Sequence, residues 1–152
     1  KYTGGGGNQE YILRLNTSGN MEIIWYSTGG SDRTSVAGPF STGQWYFVAA
    51  WYDDALGTLG VRVDDGLPAI VGTGTLGGGD GAADFVLGGR DGSAVELDGL
   101  LDEWSAWSRH LSVGELDWLR NSGAGRTYAD LAPPSGSPLP AILTALAAAG
   151  RA

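Results

Sequence analysis

Cysteine is missing from the 152 residues altogether, and with it go disulfides, thiolate metal sites and cysteine nucleophiles. Histidine occurs once, at His110, so any mechanism that needs two histidines is excluded. Positive charge is scarce: nine Lys and Arg stand against 17 Asp and Glu, for a formal charge of −8 and a pI near 4.3. A surface of that sign repels nucleic acid and anionic lipid, and neither is an expected partner. Every apolar run is far shorter than the roughly 20 residues that span a bilayer, so membrane insertion is not expected.

Glycine, by contrast, is plentiful at 27 copies, and six Trp and six Tyr accompany only 17% charged residues. That balance suits many short strands joined by glycine turns better than a helical bundle. A chain of this length is one ordinary domain, with enough apolar content to bury a core.

Residues 3–8, with four consecutive glycines, read as a loop; a phosphate cradle needs a helix after it, and none follows. Residues 10–15 read as a strand, 16–20 as its turn and 21–26 as the returning strand. Residues 27–31 turn again, and 32–36 make a short edge strand carrying Asp32 and Arg33. Residues 44–52 are the most hydrophobic stretch, nine residues without a charge, and read as a central strand. Residues 53–57 turn the chain, 58–63 return, and Asp64-Asp65-Gly66 make a tight turn into 67–71. Residues 72–83 read as a long Gly and Asp loop.

The stretch 98–123 organises the rest, reading as one long strand leading into one short helix. Its helix-start signal is full. Ser112 is placed to cap the amide of Glu115, the Glu115 side chain reaches back, and Leu111 and Leu116 occupy the two positions of a hydrophobic staple. Gly123 supplies the left-handed stop.

Asp98-Gly99-Leu100-Leu101-Asp102-Glu103-Trp104, followed by Leu111-Ser112 with Glu115 and then Asn121-Ser122-Gly123-Ala124-Gly125-Arg126, resembles the closing signature of the laminin-G-like, concanavalin A-like jelly-roll modules. Gln44-Trp45-Tyr46-Phe47-Val48 with Val61-Arg62-Val63-Asp64-Asp65-Gly66 resembles the middle hairpins of the same family. Asp84-Phe85-Val86-Leu87-Gly88-Gly89 resembles the short strand before its last hairpin, with 90–93 as the turn. The resemblance covers about residues 10–131, its last third being the most specific. It implies an all-β, two-sheet antiparallel jelly-roll sandwich with one short C-terminal helix, as a domain over residues 1–131. Relatives carry further strands before the Tyr11 hairpin, and the chain begins at Lys1 rather than Met. The sequence therefore reads as a piece of a longer product, completed by residues outside it or by another chain. An open sheet edge is an aggregation liability, so these residues alone are expected to be insoluble, partly unfolded or oligomeric. Residues 132–152 read as a Pro-rich linker and an Ala-rich tail. Leu139, Ile142, Leu143 and Leu146 lie there at helical spacing, either fraying in water or docking a narrow apolar stripe.

Some concanavalin A-like relatives are glycoside hydrolases with acids alternating along one strand face. Glu96 and Asp98 fit that spacing, but positions 100 and 101 are Leu, so the third acid is absent and no catalytic residue is assigned. On a strand, Asp102 and Glu103 point to opposite faces, so one of them faces inward and needs a donor or a cation. Two readings follow: a hydrogen-bonded or Arg-paired acid or, as the resemblance to calcium-binding relatives implies, a calcium ligand at Asp102. Trp45, Trp51 and Trp104 read as core, and Trp118 as a cover supplied by the short helix. Loop-adjacent Tyr26, Asp32, Arg90 and Asp91 are the ligand-binding candidates, because rim loops carry recognition while strands carry packing. His110 reads as a solvated turn residue rather than a catalyst.

By analogy with the family, the expected function is a non-catalytic recognition module, carbohydrate-binding or adhesive, on an extracellular or virion surface. Its partner would be a glycan or a cell-surface or virion protein. The alternative is a structural subunit of a surface assembly, such as a decoration, fibre or filament protein, without sugar binding.

Overall fold

The computed structural model describes residues 11–27, 30–36, 38, 40–72, 85–89 and 97–131, and for Ser27, Asp32, Arg33, Ser35 and Tyr128 the backbone alone. The 3–8 loop, the 73–83 loop, Arg90, Asp91, Glu96 and the tail 132–152 lie outside the described residues. The chain divides into two compact units, Lys1–Leu101 and Asp102–Ala152.

The first unit contains two antiparallel three-stranded sheets. One is ordered β1-β2-β3, from Tyr11–Leu15, Met21–Ser27 and Gly30–Val36; the other is β4-β5-β6, from Val48–Asp53, Thr58–Val63 and Ala69–Gly72. Period-two alternation sets which side chains meet. In the first ladder Tyr11, Leu13 and Leu15 pair with Trp25, Ile23 and Met21, while Ile12 and Arg14 pair with Ile24 and Glu22. The odd-numbered set of β2 faces the second sheet. Ile23 joins Leu59 and Val61 of β5 at the centre of the core, and Met21, Trp25, Val36, Val48, Ala50, Tyr52, Ala69 and Val71 pack around them. On the other face of the first sheet Glu22 is buried beside Ile24, and Arg14 meets it through Nε at 3.0 Å and Nη2 at 2.9 Å. A buried carboxylate needs such a partner.

The central strand of the second sheet is β5, not the 44–52 stretch. Strand β4 begins only at Val48 and, among the described residues, pairs with β5 alone, while β5 is flanked on both sides and buried from Leu59 to Val63. Centrality depends on having two neighbours, and an uncharged sequence does not supply them. Residues 44–47 approach the sheet without joining it, held where the Phe47 amide donates to Asp64 Oδ1 at 3.0 Å and the Asp64 amide to the Phe47 carbonyl at 2.8 Å. The expectation of a core Trp45 is corrected with it, since its side chain is 62% exposed.

In the second unit, α1 spans Val113–Arg120. The capping box is formed in full: the Glu115 amide donates to Ser112 Oγ at 3.3 Å, and the Ser112 amide donates to Glu115 Oε2 at 2.8 Å. Leu111 and Leu116, the staple pair, are both buried. The helix stops two residues before Gly123, at Asn121 in the left-handed conformation with φ 50°. Asn tolerates that region because its short amide bonds locally, here from Nδ2 to the Gly125 carbonyl at 2.9 Å. A single helical turn, α2, follows at Tyr128–Leu131.

The long strand expected over 98–110 is not formed. The backbone there is irregular, Glu103 takes φ 52°, and Leu100, Leu101 and Trp104 are exposed. A strand exists through its ladder, and among the described residues this segment has none. Trp104 is therefore not core.

Candidate functional site

The two ends of the first sheet differ in chemistry. At the Tyr11 end three rings form a column: Tyr11 stacks on Trp25 with centroids 5.9 Å apart, and Trp25 stacks on Tyr52 at 4.3 Å. Phe85 tilts against Tyr11 at 6.5 Å. The Tyr52 hydroxyl donates to Asp54 Oδ1 at 2.9 Å, and Asp53 Oδ1 accepts from the Leu56 amide at 3.0 Å, which closes the β4–β5 turn. Trp25 of the first sheet and Tyr52 of the second stack directly, so these rings join the two sheets.

Two of the sequence-derived ligand candidates lie at this end. Tyr26 is half-buried and pairs with Ser31, and Asp32 pairs with Trp25, so the two occupy successive rungs of the β2–β3 ladder. Arg90 and Asp91 lie outside the described residues. Of the four, the described residues place only Tyr26 and Asp32, side by side on this ladder.

At the opposite end of β1 lies a groove of about 340 Å³ lined by Leu15, Ser18, Gly19, Asn20, Gly38 and Phe40. It is built from the β1–β2 turn and the loop after β3. Asn16 shapes the turn: its Oδ1 accepts from the amides of Ser18 at 2.9 Å and Asn20 at 3.1 Å, and Gly19 takes φ 74°. Asn20 then ties the turn to the loop, its Oδ1 accepting from the Gly38 amide at 3.1 Å. The fit is close enough that a β-carbon on Gly38 would strike the Gly19 carbonyl oxygen. Phe40 is set by its edge-on packing with Tyr46 at 5.0 Å, and the Ser41 amide donates to the Tyr46 hydroxyl at 2.9 Å. Among the described residues no charged residue lines the groove. Nothing in the local pattern of Leu15, Asn20 or Phe40 marks them as a site. The available signal is an aromatic residue, Phe40, stranded in a loop of Gly, Pro, Ser and Thr.

In the second unit the titratable groups serve the helix. Asp102 and Glu103 are both exposed, so neither faces inward as a strand would require, and Asp102 Oδ1 accepts from the Glu103 amide at 2.9 Å. Calcium takes six to eight oxygens. Among the described residues no group of three or more Asp, Glu, His or Cys converges. The Arg109 guanidinium, bonded to Glu115, holds that carboxyl down to about 2, and the Ser112 amide and hydroxyl act in the same direction. The Thr127 amide and hydroxyl likewise hold Asp130 below the usual carboxylate range. Trp118 is 47% exposed, and the Arg126 guanidinium lies over its ring, 4.6 Å from the centroid. Among the described residues no helix is long and apolar enough to cross a membrane.

Two antiparallel sheets enclosing one apolar core define a β-sandwich. The family model described as the concanavalin A-like lectin/glucanases superfamily, of laminin G type, matches residues 2–117, and the chain belongs to that superfamily. No curated protein matches the chain. Among solved structures it is similar to an S-layer domain-containing protein from Clostridium thermocellum, at 16% identity and a TM-score of 0.37, over 75% of this chain and 58% of that one. The chain thus spans less than two thirds of that structure's length.

Proposed function

We propose that the protein is a non-catalytic recognition module that binds carbohydrate in the groove beside the β1–β2 turn and is displayed on an extracellular or virion surface. The observation that carries this reading is the composition of the groove, whose lining combines apolar Leu15 and Phe40 with polar Asn20 and Ser18. Sugars present apolar C–H faces edged by hydroxyls, and a pocket with an apolar lining and a few placed polar groups suits them. Membership of a superfamily named for lectins and glucanases supports the same class. Among the described residues the lining contains no carboxylate, and glycoside hydrolysis ordinarily takes two, which favours binding over cleavage.

A glycan array followed by calorimetry tests this. At least one glycan is expected to bind, with affinity falling about tenfold or more on Phe40→Ala. Ser18→Trp, which fills the groove from an exposed turn, is expected to abolish binding while the melting temperature holds. An array without binders, or binding that ignores both substitutions, overturns the proposal.

One observation favours the structural-subunit reading as well. Leu13 and Leu15 are 45% and 48% exposed although they share the face of β1 that pairs with Ile23 and Met21 of the core. A neighbouring chain covering them would make the module part of an assembly. Light scattering across a hundredfold concentration range checks this: a constant monomer mass excludes self-assembly through that face, and a mass that rises with concentration and returns to monomer on Leu13→Lys supports it.

A further inference from the structure

We infer that Asn16, in the β1–β2 turn, is an acceptor for an N-linked glycan, a modification site that does not depend on whether the groove binds a free sugar. The first observation is the sequence. Asn16-Thr17-Ser18 places a hydroxyl two residues after an asparagine, with a residue other than proline between them, which is the pattern that N-glycosylating transferases read. Asn8, Asn20 and Asn121, the other asparagines of the chain, are followed at that distance by Glu10, Glu22 and Gly123. Asn16 alone carries the pattern.

The second observation is the setting. An acceptor asparagine belongs on a surface loop, and the hairpin supplies one. The β1–β2 ladder ends at the Leu15–Met21 pair, and residues 16–20 turn the chain beyond it. Thr17, Ser18 and Gly19 are exposed. A β-carbon added to Gly19 would meet nothing within 4 Å, so there is open space beside the turn.

The third observation is which atoms the turn uses. The Asn16 amide donates to the Asn20 carbonyl at 2.9 Å, and the Asn16 carbonyl accepts from the Gly19 amide at 2.9 Å. Its side chain serves the turn through Oδ1, which accepts from the Ser18 and Asn20 amides. Among the described residues neither Asn16 Nδ2 nor the Ser18 hydroxyl takes part in a hydrogen bond. Those are the two groups that glycosylation engages. Nδ2 attacks C1 of an oligosaccharide carried on a polyprenol diphosphate: the N–C1 bond forms, the C1–O bond breaks with its electron pair leaving on the diphosphate, and Nδ2 gives one proton to a base of the transferase. The product is a secondary amide whose oxygen still accepts, so both side-chain hydrogen bonds of the turn survive the modification.

The test produces the whole chain behind a secretory leader in a eukaryotic host. Material whose leader has been cleaved, whether secreted or retained in the cell, is read by peptide mass spectrometry before and after treatment with peptide N-glycosidase. Glycan mass is expected on the peptide containing Asn16, and its enzymatic release should leave aspartate at that position. Ser18→Ala keeps Asn16 and its turn but removes the hydroxyl, so it should abolish the modification, and Ser18→Thr should retain it. Asn16→Gln should also abolish it, at some cost to the turn. The glycosylated chain and unglycosylated Ser18→Ala are expected to melt at the same temperature, because the glycan displaces no bond of the turn. Leader-cleaved chain with Asn16 unmodified overturns the inference, as does modification that persists in Ser18→Ala. A glycosylated chain that melts well below Ser18→Ala shows that the turn is not built to carry the glycan, and overturns it too.

Discussion

The indole of Trp51 occupies the space beside Gly60, its partner across the β4–β5 ladder, and a β-carbon on Gly60 would overlap the six-membered ring. Elsewhere in a strand Ala is preferred to Gly, which loses more chain entropy on folding. Here the sign reverses. Gly60→Ala is expected to destabilise by about 1 to 3 kcal/mol, the usual cost of overpacking, as measured by urea unfolding. In a Trp51→Ala background the same substitution should cost nothing or stabilise, and equal costs in both backgrounds would show that the two residues are not coupled.

Trp25 holds the aromatic column between Tyr11 and Tyr52, yet its buried Nε1 has no hydrogen-bond partner among the described residues. Trp25→Ala should destabilise by about 3 kcal/mol through lost stacking and a cavity. Trp25→Phe keeps a ring in the stack and removes an unsatisfied donor, so it should cost less than about 1.5 kcal/mol. Chemical denaturation of the two variants decides the point; a phenylalanine variant as damaged as the alanine one would show that the Nε1–H is bonded after all.

Glu115 makes the helix start sensitive to acid. Folding lowers its carboxyl from 4.5 to about 2, so the unfolded chain binds this proton more readily than the folded one. The contribution is therefore complete above about pH 4.5 and is lost as pH falls toward 2. An NMR titration of the Glu115 carboxyl should give a midpoint near 2. Arg109→Ala should raise the midpoint without restoring the ordinary value, because Ser112 still donates. A wild-type midpoint near 4.5 would contradict the geometry.

Gly38→Ala should damage the groove from its backbone side. The added carbon meets the Gly19 carbonyl oxygen, a backbone atom held in a tight turn, so the loop must move and the Gly38–Asn20 hydrogen bond with it. The expected loss is about 1 to 3 kcal/mol in thermal unfolding, together with shifts of the 18–20 amides and weaker sugar binding. Unchanged shifts would mean that the turn yields more easily than its hydrogen bonds suggest.

What the sequence determined by itself is what local chemistry controls. The start of α1 was legible in residues 111–116, because a capping box and a staple act within one turn of chain. The hairpins of β1 with β2 and of β4 with β5 were legible from alternation and turn residues, since period two and tight turns are equally local. Tertiary structure decided the rest. Whether 44–52 or 58–63 is central depends on which strand gains two neighbours, and whether 98–110 is a strand depends on a ladder to join. The helix stop fell at Asn121 rather than Gly123 because a side-chain bond to Gly125 favours that position. The groove could not be read in advance for the same reason. Leu15 and Asn20 belong to the β1–β2 hairpin and Phe40 to the loop after β3, and the β2–β3 ladder with the hydrogen bond from Gly38 to Asn20, across 18 residues of chain, brings them to one surface.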